Sequence, residues 1–182
     1  MFKLLRSDYL KYKSYGGHFI SILFLTQAFW AIIQYRIASY FYTNLRIPII
    51  REIVLFICLL WRKVIELTTG ISIPASAKIG PSFYIGHFGG IILNAKVVLG
   101  SNCNISQGVT IGVSGKDEKR GVPIIGNNVF IGANSVVAGK IVIEDNVLIG
   151  ACSLVTSNVL EGSVMLGVPA KCISQNTSNG YI

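Results

Sequence analysis

Acidic residues are scarce in this chain: eight Asp and Glu face sixteen Lys and Arg, a formal net charge of +8 over 182 residues. The excess is uneven. Residues 1–70 hold nine basic and three acidic side chains, and residues 71–182 hold seven and five. The basic half is also the apolar half, which suits an anionic membrane surface better than nucleic acid, and no nucleic-acid-binding motif is present. Cysteine is sparse as well. Cys58, Cys103, Cys152 and Cys172 form neither a CxxC pair nor a metal-ligand spacing, so no metal is expected and a reduced, cytoplasmic setting fits. Cys103 and Cys152 fall on positions that should face a core.

Long uncharged runs are lacking. The segment from Phe19 to Tyr42 is broken by Gln27, Gln34 and Arg36, and the one from Ile47 to Leu67 by Arg51, Glu52, Arg62 and Lys63. Neither reaches the roughly eighteen apolar residues of a membrane-spanning helix. No signal-peptide cleavage pattern precedes them. Asn44 to Pro48 reads as a break between two helices. The resulting hairpin packs on the rest of the molecule or on sister subunits. It could instead lie in a membrane interface, with Trp30, Trp61, Tyr40 and Tyr42 at headgroup level.

What the chain has in abundance is a six-residue beat. Ile73, Ile79 and Ile85 are followed, after a slip of two residues, by Leu93, Leu99, Ile105 and Ile111, and then by Ile125, Ile131, Val137, Ile143, Ile149 and Val155. A second small or apolar residue sits four positions after most of these, as at Val97, Cys103, Ser135 and Val147. This hexapeptide repeat specifies a parallel β-helix of roughly four triangular coils. The aliphatic residue points inward, and the glycine or small residue beside it is expected to let the chain bend at the corner. The expected division is a basic helical region over 1–70, a β-helix over 71–168 and a tail over 169–182.

The beat breaks twice. Eight residues from Ile85 to Ile92 fill a six-residue slot, and there lies His87, the only histidine after residue 70, between Gly86 and the Gly89-Gly90 pair. A polar loop, 112–124, interrupts the repeat again and is expected to fold over the surface near His87. Irregularities in a regular scaffold mark function, so His87 is a candidate catalytic residue.

Ile85-Gly86-His87-Phe88-Gly89-Gly90-Ile91, Asn104 to Gly112, and Gly167-Val168-Pro169-Ala170-Lys171 resemble the serine acetyltransferase branch of the hexapeptide acyltransferases. The resemblance implies a left-handed β-helix, a homotrimer and acetyl-CoA as co-substrate. It makes His87 the general base, places Ala133 and Ala151 along the coenzyme groove and brings Lys171 to the nucleotide phosphates. Gly86, Asn94, Gln107 and Arg120 fall at acceptor-binding positions. The departures concern charge. Ser72 stands where the family has an aspartate behind the histidine, and Gly86 where another meets the substrate ammonium. Gly121-Val122-Pro123 replaces an arginine-histidine-proline run. Ser72, a backbone carbonyl or Asp117 and Glu118 could each orient His87. A neutral sugar hydroxyl needs no ion pair, whereas a zwitterion does. The expectation is therefore O-acetylation of a carbohydrate acceptor in surface polysaccharide synthesis, helped by peripheral contact with the cytoplasmic membrane face. Serine O-acetylation is the alternative, and a terminal Ile182 resembles the residue that docks such enzymes to a partner synthase. A non-catalytic scaffold would need neither His87 nor coenzyme.

Overall fold

The computed structural model describes residues 1–182. Three helices precede the solenoid: α1 (Phe2–Ser14), α2 (Gln27–Asn44) and α3 (Pro48–Thr69), with a short π-helical turn over Ser21–Leu25 between the first two. Proline opens α3, where its missing N–H costs nothing, and Gly70 closes it with φ 67°. The sequence pattern anticipated a hairpin; α1 escaped it because only Asp8 and Tyr12 of that helix are buried. None of the helices is long and apolar enough to cross a membrane.

The solenoid is a left-handed parallel β-helix of five coils rather than four. The coils are β1 (Ile71–Ser72), β2 (Lys78–Ile79) and β3 (Tyr84–Ile85); β4 (Ile91–Leu93), β5 (Val98–Leu99) and β6 (Asn104–Ile105); β7 (Thr110–Gly112), β8 (Ile124–Ile125) and β9 (Phe130–Ile131); β10 (Val136–Ala138), β11 (Val142–Ile143) and β12 (Leu148–Ile149); and β13 (Leu154–Val155), a bridge at Val159, and β14 (Val164–Gly167). The first face stacks β1, β4, β7, β10 and β13, the second β2, β5, β8 and β11, and the third β3, β6, β9, β12 and β14. The extra coil comes from Ile71 and Val164, which pair with neighbouring coils although the hexad beat does not reach them.

The inward aliphatics and the residues four positions on form one buried column. Ile85, Ile111, Ile131 and Ile143 are fully enclosed, and Ser135 and Ser153 occupy the same inner positions as Val97 and Val147. Cys103 is inside, where burial pushes its thiol up to about 11. Cys152 is not: it is exposed at a corner with φ 58°, and its neighbour Ser153 turns inward instead.

The helices close the open end of the first coil, whose backbone has no preceding coil to pair with. The Tyr35 hydroxyl donates to the Ala77 carbonyl and accepts from the Ile79 amide, and the Tyr12 hydroxyl does the same for Ile85. Arg36 donates to the carbonyls of Ile79 and Gly80 and is itself ion-paired with buried Asp8, which accepts from the Phe83 amide. A solenoid needs such end caps because an exposed strand edge invites pairing with another chain.

At the far end β15 (Ala170–Ser174) turns back antiparallel to β14. The tail then climbs the third face. Ser178 is buried with its hydroxyl on the Asn128 carbonyl, and the Tyr181 ring packs at a tilt against Phe130. Its carbonyl accepts from Asn104 and from Tyr15 of the N-terminal region.

Candidate active site

His87 lies on the edge where the third face turns into the first, between β3 and β4. The chain there is pinned on both sides of the ring. Before it, the Gly86 amide donates to Ile105. After it, the Gly89 carbonyl accepts from Gly108, and Ile91 donates to Gly70 at the end of α3. Gly89 and Gly90 have φ 105° and 66°, conformations that side chains resist. A Cβ on Gly70 would come within 3.0 Å of the Gly90 nitrogen, so the helix end and the bulge are in direct backbone contact. The imidazole remains exposed.

The same edge carries most of the residues singled out from sequence. Gly89 accepts from Gly108, Gln107 from Asn134, and Ala133 from Cys152, each bond stepping one coil along. Gly86, Gln107, Ala133 and Ala151 therefore lie in line with His87. At the far end the Gly167 amide donates to Ser153, which places the turn between β14 and β15, and exposed Lys171 just after it, at the foot of this edge.

Asn94 and Arg120 are elsewhere. Asn94 follows β4 at the edge between the first and second faces, its side chain occupied by the Lys96 amide. A strand advances about 3.3 Å per residue, so Asn94 is roughly 13 Å from the Gly90 end of β4. The 112–124 loop leaves from that second edge too. It is closed by a bridge between Ser114 and Gly121 and leans on the next coil, where Lys140 donates to the Glu118 carbonyl. This corrects the expectation that the loop covers His87: it starts after β7 rather than before it, at the opposite end of a face.

One residue of this region, Glu66, went unnoticed in the sequence. Ser72, the position of the absent aspartate, donates to the Glu66 carboxylate at 2.6 Å. Glu66 also meets Arg62 at 3.2 Å and Lys63 at 2.5 Å. Burial pushes its carboxyl up, but the hydrogen bonds from Lys63 and Ser72 and the charges of Arg62 and Lys63 outweigh this and hold it below the usual range. An anionic group is thus held against Ser72 of β1, delivered by α3. Its position six residues before Ser72, outside the repeat, gave no signal.

Residues 123–157 match the family model for the bacterial transferase hexapeptide (six repeats). A serine acetyltransferase of Synechococcus elongatus is 31% identical over 176 residues, 95% of this chain and 69% of its own length. The chain belongs to the serine acetyltransferase family. A Bacillus licheniformis serine acetyltransferase is 30% identical over 158 residues, covering 87% of the chain and 69% of the relative. The Neisseria gonorrhoeae serine acetyltransferase superposes over 94% of the chain and 65% of its own length, with TM-score 0.78 and 29% identity. A serine acetyltransferase in complex with CoA gives TM-score 0.78 and 25% identity, over 93% of this chain and 68% of that one. The family makes this chain an acyltransferase.

These matches overturn the polysaccharide reading and its carbohydrate acceptor. The similarity runs through the N-terminal helices as well as the solenoid. The polysaccharide reading weighed Ser72 and Gly86 as lost charges.

Proposed function

We propose that this serine acetyltransferase-family chain transfers an acetyl group from acetyl-CoA to the hydroxyl of serine, in the cytoplasm, as a homotrimer. The observation that carries the proposal is the single edge running from His87 through Gln107, Ala133 and Ala151 to the Lys171 turn. Its near end holds the one imidazole of the repeat region. Past Gln107 the edge carries the small side chains of Ala133 and Ala151, so an extended thioester arm can lie along it. Lys171 at its foot suits a nucleotide phosphate as a point charge.

In this reading His87 takes the proton from the serine hydroxyl as the oxygen attacks the thioester carbonyl. The tetrahedral intermediate collapses by expelling the thiolate of CoA, which recovers the proton from the imidazolium. Imidazole suits both steps because a ring nitrogen can accept the proton and return it. Backbone N–H groups of the coils stabilise the oxyanion, and holding both substrates on one edge supplies much of the rate.

One chain does not complete this site. Asn94 and Arg120 sit across the first face from His87. A neighbour presenting its loop edge to the His87 edge brings them together, as cyclic symmetry repeats the same contact three times. The loop carries Asp117, Glu118 and Arg120 close together, both signs that a zwitterionic amino acid requires. Gly86 leaves space beside the ring for such a substrate: a Cβ there would meet only Tyr84, at 3.7 Å.

The test is release of CoA thiol from acetyl-CoA by the purified chain with L-serine. Serine-dependent release is expected, with His87→Ala reducing turnover by roughly 10²–10⁴-fold, the usual worth of a general base. No release above hydrolysis would reject serine as acceptor. Wild-type turnover in the variant would reject the mechanism.

A further inference from the structure

The outward side of α3 is the most anomalous surface of the molecule. Ile50, Ile53, Ile57, Leu60, Val64 and Leu67 repeat at alternating spacings of three and four, and they are 48–87% exposed. A surface helix normally turns such a stripe inward. Here the charged residues face the protein instead: Arg51, Arg62 and Glu66 are half-buried against the body, while Glu52 and Lys63 are the only charges on the outer side. The apolar surface is also wide. Ile49, Phe56, Leu59 and Trp61 flank the stripe and are exposed too. It continues across α2, where Trp30, Ile33, Trp61 and Ile65 line one shallow groove. Trp30 donates its indole N–H to Leu23, joining the groove to the 19–25 turn, on which Phe19, Ile20, Phe24 and Leu25 are 60–71% exposed.

We propose that this surface binds the interface of a bilayer containing anionic lipid. Width decides against a second helix. Pairing through the heptad stripe would bury that stripe but leave Phe56, Leu59 and Trp61 in water, at flanks where paired helices carry charges that set partner and register. An interfacial helix buries its whole apolar side, several ångströms deep, between headgroups and acyl chains. Charge complementarity decides for anionic lipid. Each acidic residue of the first seventy is neutralised within the chain: Asp8 by Arg36, Glu52 by Arg51, and Glu66 by Arg62 and Lys63. Lys3, Arg6, Lys13 and Arg46 remain exposed without a carboxylate partner, and Arg46 adjoins the start of α3. Exposed Tyr40, Tyr42 and Trp61 are the aromatic types that favour headgroup level. A helical region of net +6, with Arg46 next to an apolar surface whose own two outer charges, Glu52 and Lys63, cancel, is the combination that an anionic interface attracts. The inference is independent of the acetyl acceptor.

The experiment is co-sedimentation of the full chain with vesicles of phosphatidylcholine alone or mixed with phosphatidylglycerol, at low and high salt. Binding to the mixed vesicles at low salt is expected, with a blue shift of tryptophan emission and weakening as salt shortens the screening length. Ile53→Ser, Ile57→Ser and Leu60→Ser together should lower binding on the order of tenfold or more, since burial of each side chain contributes separately. The residues are exposed, so circular dichroism and thiol release should be unchanged. Protein left in the supernatant, equal binding to neutral vesicles, or full binding by the triple variant would each overturn the proposal. So would sedimentation equilibrium in which the triple variant drops to a smaller oligomer than wild type, which would make a second copy the occupant.

Discussion

At Asn102, Asn128 and Asn146 the backbone adopts φ of 58°, 53° and 60°, one in each successive coil at the corner between the second and third faces. Their side chains form a ladder: Asn102 donates to Asn128, Asn128 to Asn146, and Asn146 to Glu161, while Lys11 of α1 donates to Asn102 at the top. Asparagine tolerates the left-handed conformation and supplies both donor and acceptor, so one residue type both turns the chain and ties the coils together. The glycines beside the inward aliphatics serve another purpose than the bending first assigned to them. A Cβ on Gly100 would lie 2.5 Å from the Gly126 carbonyl oxygen, and Gly80 and Gly132 are as close to the next coil's backbone, so these three serve coil-on-coil contact, whereas Gly86 and Gly112 have room for a side chain. Glu66 permits a test by pH. Its folded carboxyl is held below its ordinary value, so its contribution to stability is full above the unfolded range, about 4.3, and is lost as pH falls through the lower folded value. Glu66→Gln should therefore cost about 1 kcal/mol in denaturant unfolding at neutral pH. The gap from wild type should close in acid; a gap that persists there would show that charge is not the cause.

The helices and the tail act as closures, and both depend on side chains reaching backbone. α1 and α2 present Asp8, Tyr12, Tyr35 and Arg36 to the first coil, and all four are buried. Arg36→Leu would leave the Asp8 carboxylate without its cation in a buried site. The expected loss is about 3–5 kcal/mol, measured as a lower urea midpoint at unchanged slope. A loss well under 1 kcal/mol would mean that the pair is not the anchor it appears in the structure. These contacts explain what sequence reading captured and what it did not. The break between α2 and α3 was legible because Pro48 marks it. Arg36 was legible only as an interruption of an apolar run, since its partner Asp8 lies 28 residues away in sequence. The tail is similar. Nothing in the repeat pattern foretold that Ser178 and Tyr181 would be fastened along the third face.

The assembled molecule separates its proposed base and its loop by the width of one face, and that geometry makes a specific demand. If neighbouring chains complete each site, then His87→Ala and Arg120→Ala proteins, each impaired alone, should complement when unfolded together and refolded. Random mixing in a cyclic trimer leaves roughly a quarter of the interfaces with both native residues. Recovery of about that share of wild-type thiol release is expected. No recovery over the separate variants would place His87 and Arg120 in one chain's site and remove the shared-interface reading. Sedimentation of the wild-type chain as a monomer, near 19.8 kDa, would remove it as well.

The hexad by itself determined the β-helix, its inward column and the two places where regularity fails, because a fixed period in sequence becomes a fixed height per coil once strands stack. Val136 pairs with Leu154 at the same 18-residue step that joins Asn128 to Asn146. What lies along one edge, and what is set apart by a face, belonged to the tertiary structure alone. His87 and Ala151 share an edge although far apart in the chain, and His87 and Asn94 do not although close. The reason is the triangular winding: each turn of the chain returns to the same edge, so neighbourhood across coils depends on the accumulated length of every insertion between them.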